Sequence, residues 1–198
     1  MTFQAFLVVL HIAGVVLGVG AATISDILFL RVMRRQQLSV DELQIMKILG
    51  RVIWTGLALL FASGFGILIS MGINNADLLS HAPAKVLVKL CITVIVFLNG
   101  LALHWYIHPL LEKLSQQFDT GILFSRKGLM FTSGGLSIAS WWTALILGAW
   151  RGLDQPFWII LGAYALFVLA SITGAHVVSR WILKRSGLHP SHIPETNV

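Results

Sequence analysis

Five long apolar stretches constrain the fold of this chain more than any other feature. They cover, approximately, residues 3–33, 45–72, 84–111, 127–150 and 156–184. A run of about 20 apolar residues is long enough to cross the hydrocarbon core of a bilayer as a helix. In lipid, a spanning segment must satisfy its own backbone hydrogen bonds, which favours helices here. The sequence therefore predicts an all-α bundle of five transmembrane helices in residues 1–186, followed by a polar tail at 187–198.

The composition agrees with a membrane protein and excludes other classes. Apolar residues make up 57% of the chain and charged residues 11%, whereas soluble domains carry about 25% charged residues. We attribute the net charge of +6 to basic residues in cytoplasmic loops that lie beside anionic lipid. Membrane lipid and not nucleic acid is therefore the expected partner. The single Cys91 excludes an intrachain disulfide and a Cys-x-x-Cys motif.

The basic residues between the spans predict the orientation of the bundle. They flank the first and third loops and follow the last span, whereas the second loop has none and the fourth has only Arg151. Because cytoplasmic loops are enriched in Lys and Arg, the N-terminus is predicted outside and the C-terminus in the cytoplasm. The end of the bundle that carries Arg31, Arg34, Arg35 and Lys47 is called the basic end below.

Ionisable residues inside the spans fall at two depths. Counted at about 1.5 Å per residue, His11 and Lys89 lie near the end opposite the basic end. The same count predicts that five residues lie near the basic end: Asp26, Arg51, His104, His108 and His176. Ionisable groups are costly in hydrocarbon and usually face the bundle interior at functional positions. The two levels are about 22 Å apart along the helix axis, so we expect two sites.

Haem is the first interpretation of these residues, because neutral imidazole in a helix bundle is a suitable axial ligand for haem iron. His104 and His176 fall at one depth on different spans and form the predicted axial pair at the basic end. His11 is the candidate ligand at the opposite end, with Lys89 as a second ligand if burial keeps its amine neutral. Arg51 is a candidate partner for haem propionates at the basic end.

One or two b-type haems would make the chain an electron-transfer protein or a haem-dependent membrane oxidoreductase. A quinone or another redox protein is then the expected electron partner, and the bundle is compatible with a homo-oligomer. Lys85 and Arg151 are further candidates for haem propionates at the end opposite the basic end.

A divalent metal ion is the alternative ligand for the same basic-end residues. His104 and His108 are four residues apart and therefore share one helix face, as in two-histidine metal sites. Asp26 and His176 would complete the set, and His11 is a further candidate metal ligand. This interpretation predicts a metal-binding or metal-transport membrane protein, because intramembrane ionisable groups commonly mark ion pathways.

Structural roles compete with these assignments. We expect Asp26 first to form an ion pair with Arg51 or Arg31 near the interface. Core packing is the expected role of the Trp141–Trp142 pair. Small residues form a stripe on each of the first two spans and should let those helices approach closely. The stripes consist of Gly14, Gly18 and Ala22 on the first span, and of Gly56, Ser63 and Gly66 on the second.

Two stretches carry a family resemblance. LHIAGVVLG in the first span, followed by KVLVKLCITVIVFLNGLALH in the third, resembles the superfamily of HemJ-type protoporphyrinogen oxidases and CopD-type copper-resistance proteins. The resemblance covers roughly residues 1–110 and implies a small helical protein of the bacterial inner membrane with haem b. Carried over by position, it implies functional roles for His11, Lys89 and His104. The chain differs in lacking a Trp-rich first span and in adding a fifth span.

Overall fold

The computed structural model describes residues 3–70, 83–116, 120–150 and 152–185. Within these ranges the chain is helical, without strands, and we number its five long helices α1 to α5. They are α1 (Phe3–Arg35), α2 (Val40–Ser70), α3 (Ala84–Gln116), α4 (Thr120–Ala149) and α5 (Phe157–Arg185). Each is long and apolar enough to cross a membrane, so the predicted helical class and span number are confirmed. The polar tail, Arg151 and the histidines at 81, 189 and 192 lie outside the described residues.

Many large apolar side chains remain exposed on the outer faces of the helices. Phe3, Val16, Trp158 and Leu166 are examples, each more than 60% exposed. Such a surface is costly in water and is compatible with contact to membrane lipid. The orientation of the N-terminus relative to the cytoplasm stays a prediction.

The start of α2 differs from the predicted span, which began near residue 45. The Ser39 hydroxyl accepts a hydrogen bond from the Glu42 backbone N–H at 3.1 Å, and the Glu42 carboxylate accepts one from the Ser39 N–H at 3.1 Å. This reciprocal capping box satisfies N–H groups that a helix start leaves without partners. The helix therefore begins at Val40, within a polar turn that hydropathy alone does not detect.

The end of α3 also differs, because the helix continues beyond the predicted end at residue 111. A π-helical turn at Leu103–Ile107 precedes Pro109, and the His108 N–H bonds to the Leu103 carbonyl five residues earlier. A proline inside an α-helix removes one hydrogen bond and crowds the preceding turn. The wider π turn is one of the usual places where a helix accommodates such a distortion. His104, within this turn, and His108, directly after it, both line a cavity.

The helices α1 and α2 form the closest pair in the bundle. A Cβ atom added to Gly56 would lie 2.9 Å from the Gly14 carbonyl oxygen and 2.9 Å from the Gly18 nitrogen. The two backbones are thus in direct contact, as the small-residue stripes predicted. This contact fixes the position of α1 relative to α2 near Gly14 and Gly18.

The remaining helices are linked mainly through α4, which packs against α1, α3 and α5. A second close pair, α4 and α5, meets where Gly135 lies against the backbone of Ser171 and Ile172, and α3 contacts both α4 and α5. Trp141 of α4 is 3% exposed, and its indole ring covers Gly18 of α1, which confirms the core role expected for this tryptophan. Trp142 is 40% exposed, so the core role predicted for it is wrong. One buried apolar cluster fills the basic half of the bundle and another fills the opposite half.

Candidate functional site

The helix α1 carries His11 and Asp26 into two separate polar regions. The two residues are fifteen positions apart, which corresponds to about 22 Å along a helix. His11 contacts residues in the half of the bundle away from the basic end, and Asp26 lines a cavity in the basic half. The prediction of two polar levels on one helix therefore agrees with the structure.

His11 is held by a hydrogen-bond chain that fixes its tautomer. Its Nδ1 atom lies 3.0 Å from the hydroxyl oxygen of Ser63, which is fully buried on α2. The Ser63 hydroxyl donates its single hydrogen to the Leu59 carbonyl at 2.5 Å. Ser63 must then accept a hydrogen bond from His11, so Nδ1 carries the imidazole proton. The lone pair of the neutral ring lies on Nε2.

Lys89 of α3 is the ionisable neighbour of His11. The two groups are close enough to interact electrostatically, and Lys89 in turn interacts with Lys85, one turn away. A Cβ atom at Gly148 of α4 would lie 3.6 Å from the Lys89 Nζ atom, so α4 leaves room beside the ammonium group. Gly64 of α2 similarly faces the imidazole, with 3.8 Å between such a Cβ and His11 Cε1. At this level, the His11 imidazole of α1 and the Ser63 hydroxyl of α2 are hydrogen-bonded, and Lys89 of α3 is near enough to interact electrostatically with the imidazole.

The basic half of the bundle contains a cavity of about 550 Å³ between α1, α2, α3 and α4. Its size falls within the range of small-molecule sites in proteins. The polar residues that line it are Ser25, Asp26, Lys47, Arg51, His104, His108, Glu112 and Ser137. Four of the five residues counted to the basic end from the sequence therefore share one cavity.

His104 and His108 lie side by side on the α3 wall of this cavity. Their ring centroids are 5.8 Å apart, and the rings are tilted by 45°. His104 is exposed, whereas His108 is partly buried and faces Gly50 of α2. The prediction that these two histidines share one face is consistent with both lining the cavity.

The ion pair predicted for Asp26 is not formed. Among the described residues, no ion pair joins Asp26 to Arg51 or Arg31, and its buried Oδ2 atom has no hydrogen-bond partner. Both arginines are exposed residues, and Arg51 also lines the cavity. Equal depth along the helix axis did not place opposite charges within bonding distance. The other carboxylate oxygen, Oδ1, faces Gly134 of α4.

His176 lies apart from the cavity. Its Nε2 atom is 3.0 Å from the Thr132 hydroxyl oxygen, a hydrogen bond between α5 and α4. It does not line the cavity that holds His104. The two histidines predicted as an axial pair are therefore not brought into one cavity, although both belong to the basic half of the bundle.

The proposed metal ligands are likewise not grouped in this structure. Across the described helices, no three His, Cys, Asp or Glu side chains are close enough together to hold a metal ion. The set of Asp26, His104, His108 and His176 is thus divided between the cavity and the α4–α5 pair.

Sequence reasoning missed several residues of these sites. Ser63 was interpreted only as a small packing residue, and Trp54, Lys47 and Glu112 were given no role in a cavity. Lys47 of α2 and Glu112 of α3, which both line the cavity, form an ion pair at 2.5 Å. Only the spacing of Glu112, four residues after His108, pointed to the cavity face of α3.

No protein-family model matches the chain, and no curated protein or solved structure matches it. Function therefore has to be inferred from the residues of the two polar regions.

Proposed function

We propose that this chain is a multi-pass membrane protein that binds b-type haem through His11 and takes part in electron transfer within the bilayer. The observation that carries the proposal is the hydrogen-bond chain from His11 through Ser63 to the Leu59 carbonyl. The resemblance of the first and third spans to haem-associated membrane proteins of bacteria supports it, and a bacterial inner membrane is the proposed location.

The hydrogen-bond chain gives His11 the form that a metal ligand requires. A ligating histidine must be neutral, and it almost always donates its other ring N–H to a neighbouring acceptor. Ser63 is that acceptor, and its own hydrogen is already used by the Leu59 carbonyl. The Nε2 atom of His11 carries the lone pair and is consequently the atom that could bind haem iron. The close α1–α2 contact at Gly14 and Gly56 holds the two partners in register.

Lys89 is the second residue of the proposed site. A neutral Lys89 amine would help to hold haem as a second ligand, whereas a Lys89 ammonium group would bind a haem propionate through charge-assisted hydrogen bonds. Bound haem would supply a one-electron redox centre, and the residues of the chain would hold and orient it. A Lys89→Arg variant distinguishes the two roles, since guanidinium keeps the charge but is not a usable ligand.

We place the proposed haem at His11 and not between His104 and His176. His176 is hydrogen-bonded to Thr132 outside the cavity that His104 lines. The donor set around His11 fits haem chemistry, because it combines an imidazole of fixed tautomer with a basic residue on a facing helix.

The test is the absorption spectrum of the chain purified after expression with added haem. We expect a Soret band and close to one haem per chain in the wild type. His11→Ala should lose most of the haem, and Ser63→Ala should bind it about 10- to 100-fold more weakly, because an acceptor for the ligand's N–H is removed. His176→Ala is the matched control and should keep its haem.

Two results would overturn this assignment. One is a wild-type protein without a Soret band, and the other is full haem content in folded His11→Ala. Elemental analysis tests the alternative of a divalent metal ion. Stoichiometric zinc or manganese without porphyrin would favour an ion at His104 and His108. Electron transfer is checked by mixing the oxidised protein with a short-chain quinol, which should convert the spectrum to that of ferrous haem.

A further inference from the structure

The cavity in the basic half contains charges that are only partly paired. Among the described residues, two Asp or Glu and two Lys or Arg side chains line it: Asp26, Glu112, Lys47 and Arg51. Lys47 and Glu112 pair with each other at 2.5 Å, and both are partly exposed. The Asp26 carboxylate of α1 and the Arg51 guanidinium group of α2 remain, and no ion pair joins them.

Asp26 requires a hydrogen-bond donor that the described residues do not supply. Its Oδ2 atom is buried and has no hydrogen-bond partner. A buried carboxylate oxygen without a donor is strongly unfavourable, and nearly all such atoms in proteins have a partner. A ligand that brings N–H groups into the cavity would remove this penalty.

We infer that the cavity binds a zwitterion, with a primary ammonium group at Asp26 and a phosphate or carboxylate group at Arg51. Arg51 can hold such an anionic group with two parallel N–H donors. His104 and His108 lie on the same cavity and can add donors to the anion. The cavity of about 550 Å³ has room for a ligand of this class.

Trp54 of α2 lines the same cavity as Asp26. An aromatic face attracts an ammonium group through its quadrupole. Attraction to Trp54 alone would accept any ammonium, whereas the orphaned Oδ2 atom of Asp26 requires N–H hydrogens. The site should therefore prefer a primary ammonium group to a trimethylammonium group.

Two sources offer this chemistry, the headgroup of phosphatidylethanolamine and the soluble compound O-phosphoethanolamine. The inference does not depend on haem, because His11 and Lys89 do not line this cavity. A negative haem test would therefore leave the zwitterion inference standing, and a negative lipid titration would leave the haem proposal standing.

Calorimetric titration of the purified full chain in detergent tests the inference. Dihexanoyl-phosphatidylethanolamine, dihexanoyl-phosphatidylcholine and O-phosphoethanolamine are the probes. We expect the ethanolamine lipid to bind at least ten-fold more tightly than the choline lipid. Binding of O-phosphoethanolamine with equal affinity would assign a soluble zwitterion, and its failure beside a positive lipid result would assign the membrane lipid.

Two variants test the named contacts. Asp26→Asn keeps the side-chain volume and should remove at least ten-fold of the preference for ethanolamine over choline. Arg51→Gln changes an exposed residue, and should weaken both lipids while keeping the ratio between them. Thr132→Ala, outside the cavity, is the control and should change neither value. Equal binding of the two lipids by the wild type, or an unchanged preference in Asp26→Asn, would refute the inference. If Asp26→Asn does not fold, the wild-type ratio and Arg51→Gln still decide it.

Discussion

Replacing Gly56 by alanine tests whether backbone contact between α1 and α2 holds the bundle together. The added Cβ would lie 2.9 Å from both the Gly14 oxygen and the Gly18 nitrogen, and 3.3 Å from the Gly18 Cα. All three are backbone atoms, so no side-chain rotation can relieve the overlap, and the helices must separate. A gap of about 0.5 Å already loses roughly a quarter of the dispersion energy of each contact. Overpacking of this kind costs about 1–3 kcal/mol.

A matched glycine provides the control for helix propensity. Gly20 of α1 and Gly162 of α5 have open space around the position of a Cβ. Alanine is favoured over glycine in a helix by about 1 kcal/mol, and this gain applies to all three replacements. The difference between Gly56→Ala and Gly20→Ala therefore isolates the contact between the helices. We expect Gly56→Ala to be less stable than Gly20→Ala by about 1–3 kcal/mol.

Equilibrium unfolding in mixed micelles of increasing SDS content, followed by far-UV circular dichroism, measures this difference. A loss of about 2 kcal/mol changes the unfolding equilibrium constant about 30-fold, which is readily resolved. If the two alanine variants unfold at the same SDS content, the direct backbone contact is not a source of stability.

Three further predictions concern contacts away from the two sites. Gly18→Ala places a Cβ against the Trp141 ring; it should destabilise the wild type but have little effect in Trp141→Leu, so additive free energies in a double-mutant cycle would contradict this. Ser133 donates to the Asn99 side chain at 2.6 Å between α4 and α3, and Ser133→Ala should cost about 0.6 kcal/mol in the SDS titration, the average for such bonds between membrane helices. Ser39→Ala removes the capping hydroxyl of α2 and should cost about 1 kcal/mol, whereas Ser39→Asp, which retains a capping acceptor, should cost little.

The helices and their number could be predicted from the sequence because hydropathy over 20 or more residues is a strong signal. The close contact of α1 and α2 was also predictable, since Gly14 and Gly56 belong to stripes of small residues that have few other uses in a membrane helix. The ends were less accurate. Ser39 and Glu42 start α2 through a polar capping box, and a π turn carries α3 past Pro109. Both are local backbone effects that hydropathy does not report.

The grouping of side chains was predicted only in part, for a geometric reason. Counting residues gives the depth of a side chain to within a few ångströms, because each residue advances the helix by about 1.5 Å. It does not give the rotation of each helix about its own axis or the order of helices around the bundle. His104 and Asp26 share a depth and a cavity, whereas His176 lies at a similar predicted depth but is hydrogen-bonded to Thr132. The helix α5 packs mainly on α4, so its inward face meets a different neighbour.

Residue counting also did not identify Ser63 as the hydrogen-bond partner of His11, because it gives depth but not the rotation or order of the helices. The sequence placed His11 and Lys89 at one depth, and both were singled out because they are ionisable. Ser63 has no charge and belongs to a stripe that predicts packing, yet the backbone contact at Gly56, two turns away on α2, places its hydroxyl 3.0 Å from the imidazole. The close packing of α1 and α2 and the hydrogen bond between His11 and Ser63 therefore depend on the same helix contact. A larger residue at Gly56 would move α2 away and remove the acceptor that fixes the tautomer. Helix packing and ligand geometry in this bundle should therefore fail together.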